Sequence, residues 1–543
     1  MLSAINQDKI IGNLMKMGFL VSPSFFNNID ENFNVEEFCS KLEKCNPKPL
    51  VLTDDLFLII SNNKEFFDVN WIDFDRSRVN IEQGLHDMAY HCFLDELNYN
   101  LDATKRDVLR NKDSSFELVS EENEESTVKI IKAFNDVQKK KEVSDFVDYF
   151  RARYNSLKNL LMSRPELHNV ISINRVLNRN GKEKVALIGL VKDKSVSKNG
   201  NILLTLEDMT GEIKVLVNKN KSELFESAND VQLDEVIGVV GTNSDKIVFV
   251  NAVLFPDIPI NNELKKSGKE EYMVFISDLH VGSKVFFEKN FLRFISWING
   301  DYGSDEHKEI AKKVKYLFIV GDLVEGVGIY PDQDKDLVIP DIYDQYSQLS
   351  DYLSKVRKDV KIILMGGNHD ALRLSEPQPV IDKRMASSLY ELENAVFVTN
   401  PSVVNISSYE GFSGFNILLY HGGSFPYLSE NVDSIRKNGR LDRPDLIMKY
   451  LLQRRHLIVS HTSTLYVPGK EDPLVIDRVP DFFVSGHIHK TVVNNYRNVT
   501  MIGCGCWTDQ TENQEKRGIV PDPNRIVLIN LQTREPKILN FEE

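Results

Sequence analysis

Five apolar runs in the C-terminal half of this chain end in residues that bind metals or move protons. MVFISDLH carries Asp278 and His280, and YLFIVGDL carries Asp322. KIILMGGNHD carries Asn368, His369 and Asp370, FNILLYHGG carries His421, and DFFVSGHIHK carries His487 and His489. Each run has the length and aliphatic or aromatic content of a buried strand, so its polar residues fall at the strand's C-terminal tip. A single HxH or GD signifies little, because Asp at a strand end is a common turn former. Five tips that each deliver carboxylate, carboxamide or imidazole groups together predict a built metal site.

That donor set suits hydrolysis of a phosphate ester. The reaction needs an activated water, a clamp for phosphate charge and a proton for the departing alkoxide. Two divalent cations about 3.5–4 Å apart supply the first two. The residues divide accordingly: Asp278, His280 and His489 on one cation, Asn368, His421 and His487 on the other, with Asp322 bridging. His369 adjoins a ligand and is the candidate general acid, with Asp370 as its orienting partner. Mixed His, Asp and Asn ligands suit manganese, iron or zinc. Arg373, close after GGNHD, is a candidate phosphate contact, and His456 and His461 are candidates for shaping the substrate pocket.

Apolar runs alternate with helical segments such as NFLRFISWING and DQYSQLSDYLSKVRKD, which predicts an α/β sandwich over residues 259–543 with helices outside the sheets. Residues 166–258 read as all-β, with Gly, Asn and Asp turns and a short helix, SELFESA, between the third and fourth strands. That is the order of an OB-fold barrel. Its second and third strands carry no aromatic residue, which favours a structural or protein-docking role over direct strand binding. Residues 76–165 read as a charged linker ending in an amphipathic helix, with Phe146, Phe150, Tyr154, Leu157 and Leu161 on one face and Pro165 as its stop. Residues 1–75 are expected to form a small helical interaction module.

A length of 543 residues implies several domains, and 42% hydrophobic with 27% charged residues is ordinary for soluble globular protein. No apolar run has the length of a bilayer span, and MLSAINQDKIIGNLMKMG lacks the apolar core of a signal peptide. A cytoplasmic protein with no membrane partner is therefore expected. Five cysteines do not make a disulfide framework in a chain this long. The net charge of −14 argues against a surface that grips nucleic acid everywhere, so any DNA contact must be local or shared with another subunit.

In order and wording, DLH, GDLVEG, GGNHD, YHGG and GHIH resemble the calcineurin-like metallophosphoesterase superfamily, with Gly366 standing where proline is usual. The succession of helical module, linker, OB-like barrel and phosphoesterase resembles the small-subunit family of archaeal D-family DNA polymerases. The segments SDLHVGSKVF and DFVDYFRARYNSLKNLL, and the stretch from QRRHLIVSHTS to DFFVSGHIH, resemble that family locally. The resemblance spans nearly the whole chain and is weakest over residues 1–130. It implies a proofreading 3′→5′ exonuclease acting on single-stranded or mismatched DNA 3′ ends, beside a large catalytic polymerase subunit and associated with the nucleoid. Manganese is favoured among the metals on this ground alone. It also implies kinship with the non-catalytic B subunits of eukaryotic replicative polymerases, whose sites have lost ligands that this chain keeps. Two other readings stay open: a stand-alone metallophosphoesterase for small phosphate esters, and a structural polymerase subunit with little nuclease activity.

Overall fold

The computed structural model describes residues 128–543 except 135–139, 180, 245, 512, 513, 516, 517 and 543, together with Leu14, residues 19–21, Phe38, Ser40, Leu42, Val51 and Leu52. The chain divides into two units, Met1–Glu121 and Glu122–Glu543. In the first, Leu20–Val21 pairs in parallel with Val51–Leu52. The helical module expected over residues 1–75 otherwise lies outside the described residues.

The second unit opens with strand β1 (Lys129–Lys132) and helix α1 (Val143–Met162). Strands β2 (Glu183–Val196), β3 (Ile202–Asp208), β4 (Gly211–Val217), β5 (Val236–Ser244) and β6 (Ile247–Leu254) close into a barrel in the order β2-β3-β4-β6-β5. Helix α2 (Ser222–Asn229) lies between β4 and β5, as the sequence predicts. Alternation fills the barrel: Ile202, Leu204 and Leu206 of β3 and Ile213, Val215 and Val217 of β4 all point into its core. Asp208 shapes the β3–β4 turn by accepting from the Thr210 and Gly211 N–H groups at 2.7 and 3.1 Å.

Among the described residues, eleven further strands build the C-terminal sandwich. They are β7 (Tyr272–Ile276), β8 (Val314–Val320), β9 (Lys361–Met365), β10 (Ala395–Val398), β11 (Ser402–Ile406), β12 (Phe415–Leu419), β13 (Phe482–Ser485), β14 (Val492–Tyr496), β15 (Val499–Gly503), β16 (Arg525–Asn530) and β17 (Pro536–Asn540). One sheet runs β10-β9-β8-β7-β16-β17 and the other β14-β15-β13-β12-β11-β1. Their inner faces share one core, in which Phe275, Phe318 and Ile363 meet Ile417, Phe482 and Ile502. Helices α3 (Glu288–Ile298) and α4 (Ile342–Leu353) cover the outer face of the first sheet, and α5 (Pro444–Arg454) that of the second. β7, β8 and β9 are parallel neighbours, as are β12 and β13, so their C-terminal tips emerge side by side.

β1 lies in the stretch read as linker. Its four residues, KIIK, pair antiparallel with β11 and extend the second sheet, a segment too short for periodicity to announce. α1 buries Tyr149, Arg153, Tyr154, Leu157 and Leu161, while Phe146 stays 38% exposed, so the buried face departs from the expected one at its N-terminal end. Tyr154, Leu157 and Leu161 pack against barrel residues Ile188, Leu190 and Val236. Arg153, 1% exposed, donates through Nε to Asp472 Oδ2 at 2.8 Å and through Nη1 to Val459 O at 3.1 Å. This helix therefore joins barrel and sandwich.

The same Asp472 oxygen accepts from His456 Nε2 at 2.7 Å, while His456 Nδ1 accepts the Ile458 N–H at 2.9 Å. That pair of bonds requires the neutral ring. Burial, reinforced by the Arg153 charge, pushes His456 down to about 4. The unfolded histidine titrates at about 6.5 and so binds the proton first. Stability is then full above pH 6.5 and falls as pH drops towards 4, by on the order of 3 kcal/mol for this group. Urea titrations across that range should show the decline and His456→Gln should flatten it; an unchanged slope would mean that this ring is not buried neutral.

Candidate metal centre

Five of the seven expected ligands stand just past a strand in left-handed backbone: Asp278 (φ 53°), His280 (52°), Asp322 (48°), His487 (68°) and His489 (59°). Non-glycine residues there are strained and persist only where neighbours over-determine them. Backbone bonds supply that restraint. Asp278 N donates to Gly321 O and His280 N to Asp322 O, both at 3.1 Å, and Gly486 N donates to His421 O at 3.0 Å. Two glycines admit the close approach: a Cβ on Gly367 would lie 2.3 Å from Asp322 Oδ1, and one on Gly486 2.6 Å from Asp278 Oδ2.

The tips converge into two clusters. In the first, His489 Nε2 lies 3.2 Å from Asp278 Oδ1 and 3.3 Å from His280 Nε2. In the second, His421 Nε2 lies 3.1 Å from Asn368 Oδ1 and 3.3 Å from Asp322 Oδ2, with His487 alongside. Asp322 Oδ2 is also 3.8 Å from His280 Nε2, so this carboxylate faces both clusters. The outer nitrogens are held from behind. His421 Nδ1 is 3.0 Å from Val320 O, and His489 Nδ1 is 2.9 Å from Gln514 Nε2. The Val320 carbonyl accepts from His421 Nδ1, which leaves the His421 Nε2 lone pair facing inwards, whereas the Gln514 amide donates to His489 Nδ1.

The electrostatics fit a cation. Burial lowers His487 to about 4, with His421 adding to the effect. His421 goes the other way: Asp322 and Asp278 outweigh burial and lift it to about 10. His489 is also raised well above its ordinary value, against burial, by Cys506 and Asp278. Asp322 is held well below the carboxylate range, against burial, by His421 and His369. The buried carboxylates thus demand positive charge where the Nε2 lone pairs converge. Imidazole, carboxylate and carboxamide donors suit a divalent cation of intermediate hardness.

The calcineurin-like phosphoesterase family matches residues 273–491. The DNA polymerase II small subunit of Methanothermobacter thermautotrophicus is 40% identical over 390 residues, covering 72% of this chain and 78% of that one. The corresponding protein of Thermoplasma acidophilum is 34% identical over 465 residues, covering 83% and 89%. The chain belongs to this family of archaeal DNA polymerase II small subunits. Its Pyrococcus abyssi member is 38% identical over 403 residues, and the match spans 74% of this chain but 63% of that longer one.

Several expected roles need correction. Asp370 does not orient His369. Its Oδ2 accepts from Leu323 N at 3.1 Å and Gly367 N at 2.8 Å, and its Oδ1 accepts from Tyr346 OH at 3.1 Å. Asp370 is thus the brace of the GGNHD loop, and burial together with Asp322 pushes its pKa up to about 7. His369 instead places Nδ1 2.8 Å from the Glu325 carbonyl oxygen. His456 belongs to the buried Asp472 network, and exposed His461 bonds through Nδ1 to Tyr466 OH at 2.7 Å. Arg373 donates to Pro377 O at 2.6 Å and lies over the Phe134 ring, fastening the loop after GGNHD.

Glu325 was missed, although GDLVEG puts a carboxylate three residues beyond Asp322. Its Oε2 stands 3.0 Å from His280 Nδ1, close enough for an ion pair although off the line of a good hydrogen bond. A carboxylate behind a ligating histidine fixes the ring and raises its basicity. Glu325→Gln keeps the shape and removes the charge, so calorimetric metal titration should show affinity weakened about 10- to 100-fold with little change in thermal midpoint. Unchanged affinity would mean that Glu325 does not support His280.

Proposed function

We propose that this chain is the proofreading 3′→5′ exonuclease subunit of a DNA polymerase, hydrolysing the terminal phosphodiester of single-stranded or mismatched DNA 3′ ends. The observation that carries this reading is the pair of donor clusters, with Asp322 of one only 3.8 Å from His280 of the other and half-buried His369 beside them. Asp278, His280 and His489 would hold one cation, and Asn368, His421 and His487 the other, with Asp322 between. Manganese is the favoured metal, with iron and zinc as alternatives. Bound cations of this kind neutralise phosphate charge and activate a water.

The chain's own residues do the rest. His369 uses Nδ1 on the Glu325 carbonyl, which leaves Nε2 to deliver a proton to the leaving O3′. The His369 N–H donates to Asp322 Oδ1 at 2.9 Å, so the acid and the shared carboxylate are held in one register. We read the barrel as an OB-fold that positions the nuclease against DNA or against the large catalytic subunit, in the cytoplasm. The names of the relatives support the assembly, since a small subunit implies a larger one. Among the described residues no helix is long and apolar enough to cross a membrane.

A 3′-labelled strand or mismatched primer incubated with Mn²⁺ should release 5′-mononucleotides. Hydrolysis of small chromogenic esters alone would favour a stand-alone phosphoesterase, and no hydrolysis with no metal on elemental analysis would favour a structural subunit. His369→Ala should lower kcat about 10²- to 10⁴-fold while retaining the metals. Cleavage at the wild-type rate would remove His369 from its role as the acid.

A further inference from the structure

We propose that Tyr330 is the platform on which the base of the penultimate nucleotide stacks when a DNA 3′ end enters the site. This rests on the nuclease reading above and adds to it the group that recognises the substrate. Asp278, His280, Asp322, His421 and His489 are all buried, whereas Asn368, His369 and His487 are half-buried, so substrate approaches from their side. Tyr330 stands there, half-buried, with its ring edge-on to that of His369 and the centroids 6.4 Å apart. Its neighbours Val327 and Gly328 are exposed.

The ring is fixed before substrate arrives. Its hydroxyl lies 3.1 Å from both Glu325 Oε1 and Asp336 Oδ2 and gives its one proton to either carboxylate. Buried Gln333 ties the same loop down, donating to Glu325 O at 3.0 Å and accepting from Ile329 N at 2.9 Å. Burial and the two carboxylates raise the Tyr330 pKa far above neutrality, so the phenol is neither a base nor a nucleophile there. What it offers is an aromatic face.

The chemistry selects which base meets that face. Water attacks the terminal phosphorus, the P–O3′ bond breaks, and His369 protonates the O3′ that leaves with the penultimate nucleoside. The base of that nucleoside would lie within one nucleotide's reach of His369, and Tyr330 stands beside His369. Stacking on an aromatic side chain tolerates any base but requires that the base be free of its duplex neighbours. A Tyr330 platform therefore accounts for selection of unpaired ends without reading sequence.

The test uses the full chain with Mn²⁺, a single-stranded oligonucleotide, the same strand abasic at its penultimate position, and bis(p-nitrophenyl) phosphate. Tyr330→Leu should lower the ratio of DNA to ester kcat/KM about 5- to 150-fold, mainly through KM, and Tyr330→Phe should restore most of it. Wild type should lose a similar factor on the abasic strand, and Tyr330→Leu should lose little more, because the two deletions remove one contact. Fully additive losses, or a ratio that moves less than about twofold, would overturn the platform alone. A wild-type chain that cleaves the ester but no DNA would overturn the nuclease reading and the platform with it.

Discussion

The phosphoesterase half of this molecule answers one constraint: seven polar side chains must face each other at the buried ends of strands. Unpartnered polar groups in such a place are costly, and charged ones more so. Five of the seven also occupy left-handed backbone, which costs about 1–3 kcal/mol for each residue. The fold tolerates this because the tips restrain one another. The DLH tip is hydrogen-bonded to the GD tip, and the GHIH tip to His421. Glycines at 367 and 486 leave room for carboxylates where any Cβ would intrude.

The convergence follows from topology. Parallel neighbours β7, β8 and β9 end together, so Asp278, Asp322 and Asn368 arrive on one edge of the first sheet. β12 and β13 bring His421, His487 and His489 from the second. Helices seal the outer faces, and the fully buried Arg153–Asp472 pair fastens α1 to the sandwich while the next turns of α1 pack on the barrel. A buried pair of this kind is strongly disruptive when one partner is removed, so it acts as a specific joint between the two halves.

Much of this was legible in the sequence because strand tips carry two signals at once, an apolar run and an abrupt change to ligating residues. The barrel was legible from its β-rich runs and its Gly, Asn and Asp turns, one of which Asp208 shapes in the structure. Adjacency along the chain misled at Asp370. Consecutive side chains in a tight loop point apart, and its carboxylate turns to loop N–H groups and Tyr346. GDLVEG places Glu325 near Asp322 but does not show its partner, because His280 comes from another strand, and the approach of Tyr330 to His369 is hidden for the same reason. His456 carries a chemically suggestive type in a suggestive segment, yet its neighbours are Arg153 and Asp472, a set that only the docking of α1 assembles.

We propose that the strand tips hold two cations with Asp322 between them. Anomalous diffraction from crystals of the full chain grown with Mn²⁺ tests it most directly. Two peaks are expected, one beside Asp278, His280 and His489 and the other beside Asn368, His421 and His487, each within bonding distance of Asp322. A single peak, or a peak ligated by His369 in place of these residues, would contradict it.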